Sequence, residues 1–171
     1  LNVTVIVEAN GRRESGSHGG GGRVSYQYFL ENDFARLYAR EAVRQALQAL
    51  RPPDRFSLVV YDEAITTVVE STTATAEARR NAMARLAGID ARGSTDLHGG
   101  WRAGCDQLAA HLGAGQVGRC LLLTDGQANV GIQDPAELAA LAGSARKDRG
   151  VATSTFGVGE ANSTNSNPIR P

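Results

Sequence analysis

The sequence predicts an α/β domain: a doubly wound, mostly parallel central sheet with helices on both faces. Three observations carry this expectation. Short runs rich in apolar residues at 3–7, 56–61, 119–123 and 152–156 read as core strands. Helical patterns separate them, as where Ala39, Val43, Ala46, Leu47 and Leu50 share one face. Finally, Arg119-Cys120-Leu121-Leu122-Leu123-Thr124-Asp125-Gly126 runs an apolar strand straight onto a carboxylate and a glycine. Such a run suits a strand buried on both faces of a parallel sheet. Its end then emerges at the carboxyl edge, where open α/β folds bind their ligands.

The elements follow in order. After the strand at 3–7, the glycine- and arginine-rich stretch 11–22 reads as a long loop, and 24–34 is ambiguous between an edge strand and a turn. A helix to about residue 50 is stopped by Pro52-Pro53-Asp54. The strand at 56–61 pairs with 65–69 as a hairpin. Thr75 caps a helix to about residue 86, with Glu77 well placed in its first turn. A glycine-led loop, Gly93-Ser94-Thr95-Asp96, opens the helix at 97–112, and Thr95 is placed either to cap that helix or to serve a site. Asp134-Pro135-Ala136-Glu137 is a capped helix start, and Gly150 is placed to stop the same helix in a left-handed conformation. The organisation expected is one domain over 1–160, with 12–33 as an atypical loop insertion, and a polar, disordered tail at 161–171.

Composition narrows the function. At 171 residues the chain can bury a proper core without staples. Lys plus Arg and Asp plus Glu each total 18, so net charge gives no reason to expect nucleic acid. No apolar run approaches the roughly 20 residues that span a bilayer. Cys105 lies in an apolar helical series and Cys120 in a strand, so both read as core thiols rather than a disulfide framework.

Taken together, Leu121-Leu122-Leu123-Thr124-Asp125-Gly126, Asn129-Val130-Gly131, Thr155-Phe156-Gly157-Val158-Gly159, the stretch 55–62 and Gly93-Ser94-Thr95-Asp96-Leu97 resemble a bacterial-type von Willebrand factor type A domain. The resemblance runs from about Ala35 to Gly159 and implies a Rossmann-like fold. It also implies a metal-ion-dependent adhesion site on three loops: Asp-x-Ser-x-Ser after the first strand, a Thr from the second loop and an Asp from the third. Thr95 and Asp125 match the second and third roles. The first loop departs from the pattern. Glu8-Ala9-Asn10-Gly11-Arg12 puts Glu for Asp, Asn for the first Ser and Arg for the second. Glu8 can hold the family position while Ser15 and Ser17 fold back to donate hydroxyls; alternatively, Arg12 or Arg13 places a guanidinium beside Asp125 where the metal would sit.

The site expected is therefore Glu8, Ser15, Ser17, Thr95 and Asp125 around Mg²⁺, or Mn²⁺ or Ca²⁺, since an all-oxygen set suits a hard cation. The partner implied is a protein presenting an acidic residue, and the domain is expected not to be an enzyme. His18 beside Ser17 lies outside any Gly-x-Ser-x-Gly elbow, and His98 and His111 sit too far apart on a helix to clamp one ion. A metal-independent interaction domain is the alternative. A nucleotide-binding enzyme ranks below both, because Gly19 to Gly22 lacks the Gly-Lys-Ser/Thr ending of a phosphate loop.

Overall fold

The structure, a computed structural model, describes residues 2–9, 12–19, 34–89, 93–113, 116, 118–124 and 128–157. Its elements are β1 (Asn2–Ala9), β2 (Arg12–Gly19), α1 (Phe34–Ala49), β3 (Arg55–Tyr61), β4 (Ile65–Thr73), α2 (Ala76–Ala87), α3 (Leu97–Ala109), β5 (Gly118–Thr124), α4 (Pro135–Arg149) and β6 (Val151–Gly157). The class is α/β, as expected.

Three ladders hold the strands among the described residues. β5 and β6 are parallel, joined by α4 as a βαβ unit, with Leu122 opposite Thr155. β3 and β4 form the expected antiparallel hairpin, with register shifts on both sides of Leu58. β1 pairs antiparallel with β2. Among the described residues each ladder has two strands, within the α/β fold that the sequence suggests.

The β1–β2 pairing corrects two expectations. The stretch read as a loop is, over Arg12–Gly19, a strand, and the strand at 3–7 takes its hydrogen bonds from β2. The register supplies the physical reason. Ala9 faces Arg12, which leaves Asn10-Gly11 as the two residues between partners. Asn-Gly is the dipeptide that two-residue hairpins favour. The ambiguous stretch 24–33 and the tail 161–171 lie outside the described residues.

Helix ends follow local chemistry. Thr75 caps α2 as expected, its hydroxyl accepting from the Ala78 amide at 3.1 Å. α3 is capped by Asp96 rather than Thr95, the Asp96 carboxylate accepting from the Gly99 amide at 2.9 Å. Asp134 caps α4, Pro135 starts it, and Gly150 ends it at φ 67°. α1 and α2 cap each other's carboxyl ends with arginines. Arg40 of α1 donates to the carbonyls of Ala87 and Ile89, both at 2.9 Å. Arg79 of α2 donates to those of Leu50 at 3.0 Å and Gln48 at 3.4 Å. Each guanidinium satisfies carbonyls that the helix leaves unpaired and meets the negative end of its dipole.

Two buried clusters form the core. One gathers Trp101, Cys105, Cys120, Leu122, Ala145 and Val151 between α3, β5, α4 and β6. The other gathers Leu47, Phe56, Ala74 and Ala82 between α1, β3 and α2. α3 packs across both β3 and β5. At their carboxyl ends the Tyr61 hydroxyl donates to the Leu123 carbonyl at 2.8 Å.

That seat demands small residues. A Cβ on Gly100 would stand 2.3 Å from Cγ of Tyr61, whereas one on Gly143 of α4 would meet nothing within 4 Å. Gly100→Ala is therefore expected to cost about 1–3 kcal/mol through overpacking. Gly143→Ala should instead stabilise by about 0.5–1 kcal/mol through helix propensity. Chemical denaturation of both variants checks the opposite signs.

Candidate functional site

Three loops meet beside the carboxyl ends of β3 and β5. The turn after β3 closes on itself: the Asp62 carboxylate accepts from the Ala64 amide at 2.7 Å, and the Asp62 amide donates to the Ala64 carbonyl at 3.1 Å. The Asp62 carbonyl in turn accepts from the Asp96 amide at 2.8 Å. This ties the β3–β4 turn to the loop that opens α3.

The second tie joins that loop to the one following β5. The Thr95 amide donates to the Asn129 side-chain oxygen at 2.6 Å. The Thr95 carbonyl accepts from the amides of Asn129 at 3.2 Å and Val130 at 3.3 Å. Gly131, at φ 72°, lets the later loop pass Asp96: a Cβ there would stand 2.9 Å from Oδ1 of the Asp96 carboxylate. Thr95 thus spends both backbone groups on the clamp. Its hydroxyl makes no hydrogen bond among the described residues.

Of the sequence-predicted donors, Thr95 sits half-buried in this junction. Asp125 follows β5 directly in the chain and lies outside the described residues. Glu8 lies on β1 opposite Arg13, Ser15 on β2 opposite Ile6, and Ser17 on β2 opposite Thr4. Glu8 and Ser15 are thus two register positions apart, about 7 Å, and Glu8 and Ser17 four, about 13 Å, at the usual rise of a strand. Among the described residues, no three of His, Cys, Asp and Glu gather to hold a metal.

Asp62 and Asn129 were not singled out from the sequence as site-building residues. A signal existed for Asp62, which ends an apolar strand just as Asp125 does. Asn129 stood in the motif Asn129-Val130-Gly131, but its role could not be read there, because it depends on a backbone amide 34 residues away. His98 packs its ring 6.0 Å from that of Trp101, and His111 lies exposed beyond α3, so the two serve separate places.

With that geometry in hand, similarity to known proteins divides the chain. The von Willebrand factor type A domain family matches residues 28–169. The PmbA/TldA metallopeptidase central domain matches residues 1–50. Uncharacterized protein YfbK of Escherichia coli (strain K12) is 31% identical over 123 residues, 72% of this chain and 21% of that protein. A Metalloprotease TldD homolog of Haemophilus influenzae is 53% identical over 51 residues, 28% of this chain and 11% of that protein. The chain therefore spans about a fifth or less of the length of these relatives. A solved von Willebrand factor type A structure from Catenulispora acidiphila aligns with a TM-score of 0.59 at 20% identity, covering 74% of this chain and 30% of that one. Thr95 and Asp125 fall in the first match, while Glu8, Ser15 and Ser17 all precede residue 28 and fall in the second.

The clamp is testable by itself. Asn129→Ala removes the acceptor of the Thr95 amide and is expected to cost about 0.5–1.5 kcal/mol. Hydrogen exchange should show the Thr95 amide losing protection while those of β5 keep theirs.

Proposed function

The chain belongs to the von Willebrand factor type A family, and on that premise we propose that it is a protein-interaction module whose binding point is a divalent cation held at the junction of Thr95 and Asp125. The observation that carries this is the Thr95–Asn129 clamp, which uses the backbone of Thr95 and leaves its hydroxyl to the site. A hydroxyl and a carboxylate are donors of the kind that Mg²⁺ or Mn²⁺ takes, and few direct carboxylates leave the ion electrophilic. An acidic side chain of a partner then fits the open coordination position.

From the amino-terminal hairpin, Glu8 and Ser15 are the candidates to complete the set, with Ser17 two register positions farther along. Ile65 and Val130 lie exposed next to the junction, one after the β3–β4 turn and one in the clamped loop. They supply an apolar rim for a partner that brings a carboxylate.

A second reading rests on the match of residues 1–50 to a metallopeptidase central domain. On this reading the hairpin and α1 are a scaffold segment of that family. Each of the three histidines is followed by Gly or Leu, so the chain holds no His-Glu-x-x-His zinc motif. A metal-independent interaction domain remains the alternative that the same titration separates.

Calorimetric titration with Mg²⁺ and Mn²⁺ is the test. Asp125→Ala and Thr95→Ala are expected to weaken the affinity at least tenfold. An unchanged affinity in Asp125→Ala would reject the site, and no affinity in the unsubstituted chain would leave the metal-independent domain. Retention of acidic peptides should fall with a chelator much more than with moderate salt, because a coordinated carboxylate is poorly screened.

A further inference from the structure

Among the described residues β4 is an edge: it pairs with β3 on one side and with no strand on the other. Part of that free side is plugged. The Val68 carbonyl accepts from the Arg85 guanidinium of α2 at 2.7 Å. The Ser71 amide donates to the Gln107 side-chain oxygen of α3 at 2.9 Å, and the Ser71 carbonyl accepts from the Arg55 guanidinium at 2.6 Å. Side chains laid on an edge in this way keep other strands off it.

The plugs stop short of Ile65-Thr66-Thr67, which are all β-branched and all exposed. Their pairing fixes which way the backbone points. The Asp62 amide bonds the Ala64 carbonyl across the turn; beyond it Tyr61 faces Ile65, Val60 faces Thr66 and Val59 faces Thr67. Bonded and non-bonded pairs alternate along an antiparallel ladder. Val60 and Thr66 are therefore a bonded pair, and Ile65 and Thr67 turn their amides and carbonyls away from β3. Outside the ladder, no hydrogen bond meets these groups among the described residues. Alternate residues that offer amide and carbonyl outward are what an added strand takes.

This open stretch begins at the loop junction. Ile65 lies against α3, where a Cβ on Gly99 would stand 2.5 Å from its Cδ1, and the turn before it is tied to Asp96. β4 leads away from that turn, so a strand antiparallel to it runs toward the turn and brings its carboxyl end to the Thr95 loop. Charge decides against a second copy as the occupant. Two copies paired antiparallel about Thr66 would set Asp62 of one opposite Glu70 of the other. Like charges directly opposite each other destabilise a sheet. The exposed Glu70 instead favours a strand that is basic at its amino end.

We propose that the open edge of β4 at 65–67 docks an extended segment of a partner protein as an added antiparallel strand, basic at its amino end and acidic just past its carboxyl end. The strand addition stands on the edge itself; the acidic end rests on the cation reading of Thr95 and Asp125.

The test adds the end-blocked peptide Lys-Thr-Thr-Val-Thr-Val-Gly-Asp to the whole chain, with Mg²⁺ present, and reads amide hydrogen exchange and calorimetry. The expected result is new protection at the Ile65 and Thr67 amides, with Thr66 unchanged because β3 already holds it. N-methylation along the peptide should weaken binding about tenfold at every second residue and leave the residues between unaffected. Thr67→Pro removes an outward amide, which an edge strand tolerates, and should weaken binding about tenfold; Thr67→Val should not. The N-methyl series decides the matter if Thr67→Pro does not fold. A chelator, or Asp125→Ala, should lower the affinity of the peptide to that of its Asn counterpart while Ile65 and Thr67 keep their protection. Equal affinity of the Asp and Asn peptides in Mg²⁺ would overturn the acidic end and leave the strand addition standing. The strand addition is overturned if neither amide gains protection, if N-methylation acts evenly or not at all, or if the chain pairs with itself through this edge.

Discussion

The seating of α3 on β3 and β5 is the contact on which the rest of the architecture turns. No backbone ladder joins β3 to β5 among the described residues. Their relative placement therefore rests on the helix that covers both and on the Tyr61 hydroxyl reaching the Leu123 carbonyl. Close approach is possible because Gly99 and Gly100 present no side chain to Ile65 and Tyr61. Interiors packed at crystal-like density transmit a shift of one such contact to the next. The amino end of α3 carries Asp96, which ties to Asp62 in front and caps its own helix behind. The position of Thr95 thus depends on how Gly99 meets Ile65 and Gly100 meets the Tyr61 ring.

α1 joins the two parts of the chain that resemble different families. Residues 28–50 belong to both matches, and α1 fills most of that overlap. It packs on the β1–β2 hairpin on one side and on α2 on the other. The reciprocal arginine caps, Arg40 over the end of α2 and Arg79 over the end of α1, fix the second contact. Carbonyls at helix ends need donors in any fold. Here each helix supplies the donor that the other lacks, and the two arginines add to the apolar contact of Leu47 and Ala82 in the buried cluster between the helices.

What could be read from the sequence was what is local in physics. The helix at 135–149 was legible at both ends, because Asp134, Pro135 and Gly150 act through neighbours in the chain. The hairpin after residue 55 and the strand ending at Thr124 were legible through apolar patterning. The β1–β2 hairpin was missed although its signal was present. Asn10-Gly11 is a strong hairpin dipeptide, but the glycines and arginines that follow have poor strand propensity, and the propensity was given more weight than the turn. Cap assignment at α3 turned on one position: Thr95 and Asp96 are both good caps, and only the backbone path decides which side chain faces the Gly99 amide. The Thr95–Asn129 clamp and the Cys105–Cys120 contact are long-range pairings, so periodicity could not reveal them.

The loop junction and the buried cluster around Cys105 share α3. From Asp96 to Cys105 is nine residues of helix, about 14 Å at the usual rise. Trp101 lies between them, packed in the core and hydrogen-bonded to Thr153 on β6. A helix transmits displacement along its axis with little compliance, so whatever fixes its middle on β5 also constrains its amino end. The Thr95 loop cannot relax independently either, being held to Asp62 on one side and Asn129 on the other. The two regions are therefore linked through α3, which carries Asp96 at its amino end and Cys105 in the core cluster.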